Sequence, residues 1–133
     1  MKISRSTGYA LLAVGYVAKN KDQKIILSQS IAKEYNIPLE YLLKILQQMV
    51  RANILRSKRG PRGGFSLAKP PKKISMLEIV EAVEGPMINQ LNLTEQAHGE
   101  KFSVKIEQVY DKAIAQAKSV FDKAKIATLL ANT

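Results

Sequence analysis

Residues 28–67, SQSIAKEYNIPLEYLLKILQQMVRANILRSKRGPRGGFSL, decide the fold. They divide into a short helix, a tight turn, a longer amphipathic helix and a basic hairpin tipped by glycine and proline. In the longer helix Leu39, Leu42, Leu46, Met49 and Val50 recur at the spacing of one helical face. Glu40, Lys44, Gln47, Gln48 and Arg51 fall on or beside the opposite face. One side therefore builds a core, and the other is free to meet a partner. Asn36 ends the short helix, and Pro38 sits where the longer one begins, a place where its missing N–H costs nothing. Helices joined by so short a turn must cross steeply, which is helix-turn-helix geometry.

The hairpin completes the motif. Residues 54–57 and 65–68 alternate as two short antiparallel strands around RGPRGG, the pattern of a wing. Lys58, Arg59 and Arg62 cluster there among Gly60, Pro61, Gly63 and Gly64. Cations on a narrow hairpin suit the minor groove of DNA, where A·T-rich segments concentrate negative potential, with Arg59 the first candidate and Arg62 the second. A merely solvated tip is the competing reading. If the longer helix enters the major groove, Glu40, Tyr41, Lys44 and Gln47 on its first turns are the candidates to meet base edges.

Upstream, Ser4 and Ser6 offer N-caps for a helix over about residues 5–19, in which Leu11, Leu12, Val14, Val17 and Ala18 are apolar and Gly8 and Gly15 permit close packing. Arg5, Thr7 and Tyr9 at its start are candidate phosphate contacts, helped by the helix dipole. The alternative is that Tyr9 packs and Thr7 caps. A polar loop, KNKDQK at 19–24, leads to a short strand at 25–27. Ser28 then caps the helix of about 29–35 and is counted with the candidate DNA contacts.

Charge follows the motif. Residues 1–73 carry 15 Lys/Arg against Asp22, Glu34 and Glu40, whereas residues 74–133 carry six Lys against eight acids. The positive charge belongs to the half that holds the helix pair and hairpin, and a polyanion is the simplest partner for it. The chain contains no cysteine, which excludes disulfides, thiolate nucleophiles and Cys-ligated metal or iron–sulfur sites. His98 is the one histidine and cannot build a zinc site alone. No nucleophile–base pair, phosphate-cradling loop or paired-carboxylate motif can be assembled, so an enzyme is not expected. With no long apolar run and no cleavage-site pattern near the start, the expectation is a cytoplasmic protein without membrane contact.

Downstream, the rigid basic connector at 69–73 precedes a capping box, Ser75 and Glu78, and the apolar run Met76, Leu77, Ile79, Val80 and Val83. Gly85-Pro86 stops that helix, and Glu81 and Glu84 are expected to face solvent or the connector lysines. Residues 86–103 are the least regular. From about 104 to 131, Ile106, Tyr110, Ala113, Ala117, Val120, Ala124, Ala127 and Ala131 alternate by four and three, with Val109, Ile114 and Phe121 widening the seam. A helix of that length is expected to pair with a second copy, which would set two reading helices on a two-fold axis. An intramolecular helix lying back on the first one is the alternative.

Taken together, the opening MKIS, Tyr9-Ala10, Ile31-Ala32, IPLEYLLKIL, RGPRGGFSLA and ISMLEIVEAVEG resemble the bacterial winged-helix regulators grouped with IscR, NsrR and CymR, the Rrf-two family. The resemblance runs from residue 1 to about 85 and more loosely beyond. It implies a mainly α fold with a small β wing: a winged helix-turn-helix domain over 1–85, a segment at the sensor position over 86–103, and a dimerisation helix with C-terminal tail over 104–133. By the same likeness Arg59 corresponds to the wing arginine of the minor groove. Leu39, Glu40, Tyr41, Leu43 and Lys44 take recognition-helix positions, Leu43 standing where some members carry a polar reader. Similar proteins hold an iron–sulfur cluster on three cysteines within 86–103; this chain has none, so no cofactor or metal is expected. CymR-like members answer to a partner protein instead, which leaves an effector ligand or regulatory protein as the input. The function expected is a dimeric, sequence-specific regulator of transcription on double-stranded DNA, a repressor at a pseudo-palindromic operator. A winged-helix protein-interaction module and a sequence-tolerant nucleic-acid-binding protein are the alternatives.

Overall fold

The computed structural model describes residues 3–58 and 64–132. Arg59 and Arg62, expected at the wing tip, lie outside the described residues. Along the chain run α1 (Arg5–Lys19), β1 (Ile26–Leu27), α2 (Ser28–Tyr35), α3 (Leu39–Arg51), β2 (Leu55–Lys58), β3 (Gly64–Leu67), α4 (Met76–Glu84), α5 (Leu93–Gln96), α6 (Lys101–Lys123) and α7 (Ile126–Leu130).

Two asparagines make the corners of the motif. Asn36 closes α2 in the left-handed region (φ 54°), and the Ile37 amide donates to the Ala32 carbonyl at 2.9 Å. Asparagine tolerates that backbone better than most side chains. Buried Ile37 pins the turn, and Pro38 is the N-cap of α3. Asn53 (φ 59°) repeats the device after α3: its amide reaches the Val50 carbonyl, and the Ile54 amide reaches that of Met49, each at 3.0 Å. Ile54 is thereby drawn into the core as part of the helix stop. Both strands consequently sit one position from the alternation seen in the sequence, β2 one later and β3 one earlier.

The sheet is antiparallel in the order β1-β3-β2. Phe65 on the central strand pairs with Ile26 on one side and Ser57 on the other and is buried. Its neighbour Gly64 lies so close to β1 that an added Cβ would stand 2.0 Å from Ile25 Cγ2. Under the sheet, Val14 and Val17 of α1, Ile31 of α2, Leu42, Leu46 and Met49 of α3 and Ile79 of α4 form one core. Each such side chain contributes about 1.5–3 kcal/mol on burial. Gly15 of α1 faces Leu130 of α7, while a Cβ on Gly8 would meet nothing, so close packing explains only the former.

Ser75 and Glu78 form the expected capping box on α4, and the other Glu78 oxygen takes Lys69. Glu84 is exposed, as expected, whereas Glu81 is half-buried, and both are engaged within the chain. Glu81 accepts from the Met87 amide at 2.8 Å, and Glu84 accepts from the Ser4 amide at 2.9 Å and from the Thr7 hydroxyl. Both accept from backbone amides, and Glu84 does so while open to solvent.

The last helix also differs from the uninterrupted heptad run. α6 begins at Lys101 and stops at Lys123, where Ala124 turns extended. The Met76 amide donates to the Ala124 carbonyl at 2.8 Å, and the Ile126 amide donates to that of Ile74 at 2.9 Å. This clasp drops Ile126 into the core and lays α7 on α1. Packing, rather than helix propensity, decides where a helix ends. Ala127 and Ala131 therefore leave the seam.

Candidate nucleic-acid interface

α3 turns Leu42, Ile45, Leu46 and Met49 inward and leaves Glu40, Lys44, Gln47 and Arg51 exposed on the opposite face. Leu39, Leu43 and Val50 are half-buried along one margin, so of the expected recognition-helix positions Leu39 and Leu43 are partly withdrawn. Tyr41 lies on the other margin. Its ring meets that of Tyr9 edge-on, with centroids 5.7 Å apart and planes at 89°, and its hydroxyl hydrogen-bonds Ser6 Oγ. A shallow recess of about 540 Å³ runs between this contact and the polar face, lined by Ser6, Tyr41, Lys44, Gln47, Gln48 and Arg51.

Of the residues expected at the start of α1, Arg5 is exposed and Tyr9 is half-buried against Tyr41. Thr7 is fully buried, and its hydroxyl donates to Glu84, so it frames the head instead of meeting a phosphate. Ser4, not Thr7, caps α1, accepting from the Thr7 amide at 3.2 Å. Ser28 is likewise buried and is the first residue of α2, whose N-cap is Leu27. Neither Thr7 nor Ser28 presents a surface donor. Hydrogen bonds from the Ser4 side chain, the Thr7 hydroxyl and the Ser4 amide, in that order, hold the Glu84 carboxyl below the usual carboxylate range.

Lys58 is exposed at the end of β2, opposite Gly64. Arg56 is exposed two residues earlier, on the same face of an edge strand. Arg56 and Arg51 were not singled out from the sequence as DNA contacts. The available signals were the two-residue strand period from Lys58 and the helical period that carries Lys44 and Gln47 on to Arg51. Glu40 is the one acid in the sequence of α3, and β2 has none.

The segment at 86–103 offers little to a metal. The Glu107 carboxylate receives the Leu93 amide (2.9 Å) and the Thr94 hydroxyl (2.6 Å), tying α5 to α6. The bond from Thr94 is the main cause holding Glu107 below the usual range. Asn89 accepts from the Leu91 amide, and His98 is exposed on a left-handed turn (φ 56°). Among the described residues no three His, Asp or Glu side chains are grouped to hold a metal. With no thiolate in the chain, this donor set does not fit an iron–sulfur cluster.

On α6, Ile106, Val109, Tyr110, Ala113 and Val120 are exposed, whereas Ala117 and Phe121, and Ala124 just past its end, are half-buried. Among the described residues no helix is long and apolar enough to cross a membrane.

Comparison with known proteins gives the same architecture a family. The Rrf2 profile, described as iron-dependent transcriptional regulator, matches residues 3–132. The HTH-type transcriptional regulator IscR of Cereibacter sphaeroides is 34% identical over 86 residues, 63% of this chain and 56% of that protein. The HTH-type transcriptional regulator NsrR of Bacillus licheniformis is 25% identical over 138 residues, 99% of this chain and 94% of that one. Among solved structures, CymR of B. subtilis superposes with a TM-score of 0.79 at 26% identity, over 100% of this chain and 98% of that one. The matches to the first curated relatives span little more than half of those proteins' length. The named relatives are transcription regulators, not enzymes. The chain is mainly helical with a small antiparallel wing, and it belongs to the Rrf2 family of transcriptional regulators, as a member without cysteine ligands.

Proposed function

We propose that the chain is a sequence-specific regulator of transcription that binds double-stranded DNA as a dimer and represses from a pseudo-palindromic operator. The observation that carries this is the free polar face of α3, with Lys44, Gln47 and Arg51 in line and Arg56 and Lys58 on the adjoining strand. Glu40, Lys44 and Gln47 lie on the first turns, the part of a recognition helix that meets base edges in the major groove. Arg5, Arg51, Arg56 and Lys58 supply sequence-independent attraction to phosphates. Arg59 and Arg62 would enter the minor groove. Residues 1–85 act as the reading head, and 86–103 as the place where an effector ligand or regulatory protein acts.

The dimer reading rests on α6. Phe102, Ile106, Val109, Ala113, Gln116 and Val120 succeed one another by four and three and are all exposed. This is a heptad seam without a partner in the single chain, apolar except at Gln116, and one polar position within a seam fixes its register at some cost in stability. It is shifted from the seam read in the sequence. Ala117 and Phe121 turn toward their own chain, Val109 and Gln116 take the central places, and Phe102 extends the stripe. Two copies joined there would place two reading helices on a two-fold axis, one helical turn of DNA or a multiple of it apart.

The test is gel-shift titration of duplexes selected by the purified protein, against scrambled duplexes, at two salt concentrations. A regulator keeps a large preference for the selected duplex at both. Equal binding to the two would indicate a nucleic-acid coat, and binding to neither an interaction module.

A further inference from the structure

A recess of about 340 Å³ opens between residues 86–90 and the side of α6. Glu84, Pro86, Met87, Ile88, Tyr110 and Ile114 line it. Its two walls are held independently. Gly85 turns the chain with φ 87° and bonds the Glu81 carbonyl, and the Met87 amide is fixed by the Glu81 carboxylate. α6 is anchored at one end by Glu107 and at the other by the Ile126 clasp. Ile88 is 56% and Tyr110 44% exposed, so apolar surface is left uncovered on both walls. The volume is that of a small-molecule site. Among the described residues of the lining Glu84 is the one carboxylate and there is no Lys or Arg, which favours a cation and disfavours an anion. Ala113 borders both this recess and the seam on α6.

We propose that this recess binds a small amphipathic amine, with its apolar body on Met87, Ile88, Tyr110 and Ile114 and its ammonium at Glu84, and that occupancy weakens DNA reading. The link runs through α1. Glu84 holds the Ser4 amide and the Thr7 hydroxyl, and the next residues of that turn, Ser6 and Tyr9, hold Tyr41 of α3. An ammonium that draws the carboxylate into the recess loosens the first turn of α1 and with it the start of the reading helix. Only this coupling rests on the DNA-binding function proposed above; binding in the recess does not.

The experiment uses the ¹⁵N-labelled full chain, with 2-phenylethylamine and its anionic counterpart 3-phenylpropionate as probes, followed by amide shifts. The amine should give saturable shifts at Gly85, Met87, Ile88 and Ile114, with the carboxylate binding roughly fivefold or more weakly. Glu84→Gln should bring the two probes level, and Ile114→Trp, whose indole fills the recess, should abolish both. Equal affinity of the two probes for the unaltered chain, shifts spread along Phe102 to Val120 instead, or unchanged binding to Ile114→Trp would each overturn the site. Saturating amine should also weaken binding to the selected duplex in the unaltered chain and not in Ile114→Trp; full occupancy with unchanged DNA affinity would overturn the coupling. A chain that binds no duplex at all would refute the DNA reading, and the amide shifts would still decide the recess.

Discussion

Val109→Asp is the sharpest probe of the seam on α6. Val109 is 70% exposed in the single chain, with Phe102 at 69% and Val120 at 66% on the same stripe. Fully burying such a side chain contributes about 1.5–3 kcal/mol, so the surface still open leaves about 1–2 kcal/mol for each. Across two facing helices these three positions supply about 6–12 kcal/mol, which is comparable with the cost of association, about 4–15 kcal/mol. The seam therefore has little excess, and one central loss is felt. Aspartate at 109 removes apolar burial from both copies, about 2–4 kcal/mol in all, and sets two carboxylates into a drying interface. A total loss of about 4 kcal/mol raises the dimer dissociation constant about a thousandfold. Sedimentation equilibrium over a wide concentration range reads this directly, with circular dichroism to show that α6 persists. Ala115→Asp, at an exposed position turned away from the stripe, should leave association unchanged. If the Val109→Asp chain associates as tightly as the unaltered one, the stripe is not the dimer interface.

Gly64→Ala should destabilise the head by about 1–3 kcal/mol, because the new Cβ must displace Ile25; denaturant unfolding, with hydrogen exchange in β1 and β3, checks it. Ile126→Ala should cost about 2–4 kcal/mol in the same unfolding assay, since its side chain is buried in the head and clasps α7 to it. Lys44→Ala should change preference at one operator position by about 1–3 kcal/mol, whereas Arg56→Ala should weaken all duplexes alike and lower the salt slope by about one; competition gel shifts separate the two outcomes. Glu84 has a depressed pKa in the folded chain, so its contribution is present above the ordinary carboxylate range and is lost as pH falls through the depressed value. Between neutral and strongly acid pH, Glu84→Gln should lack that part of the acid sensitivity seen in unfolding midpoints.

What could be read ahead of the coordinates was whatever local chemistry decides. The 3.6-residue stripe of α3, Pro38 at its start, the Ser75–Glu78 box and the Gly85 stop all depend on neighbours within one turn or two, and each lies where the pattern puts it. What could not be read depends on partners far along the chain. Thr7 looked like a phosphate donor because nothing local reveals Glu84, 77 residues away, as its acceptor. Ser28 fits a cap by type, but β1 delivers it into the interior as the first helical residue. The end of α6 was hidden for the same reason. Alanines at 124, 127 and 131 continue a heptad, and only the pairing of 125 with Ser75 shows that the chain leaves the helix to bury Ile126. Even the seam shifts once α4 and α5 claim one side of α6.

The same distinction between local and distant support applies to the two ends of α3. At its C-terminus two backbone bonds close around Asn53, and Met49 and Ile54 are fully buried, so the passage into the wing is fixed by several contacts together. At its N-terminus Pro38 brings no side-chain hydrogen bond as cap. Of the exposed residues there, Tyr41 is the one tied back, through one aromatic contact and one hydroxyl bond to α1, interactions worth on the order of 1 kcal/mol each. The turns that carry Glu40, Lys44 and Gln47 are seated in the core by Leu42, Ile45 and Leu46, so the Tyr41 contacts add a surface link to α1 and do not alone hold the helix start. Under the proposed function, α1 is the element on which an input that alters DNA recognition would act. That element is in contact with both Tyr41 and the Glu84 tether, so under the proposed function it is the link by which an input beyond α4 would reach the start of α3.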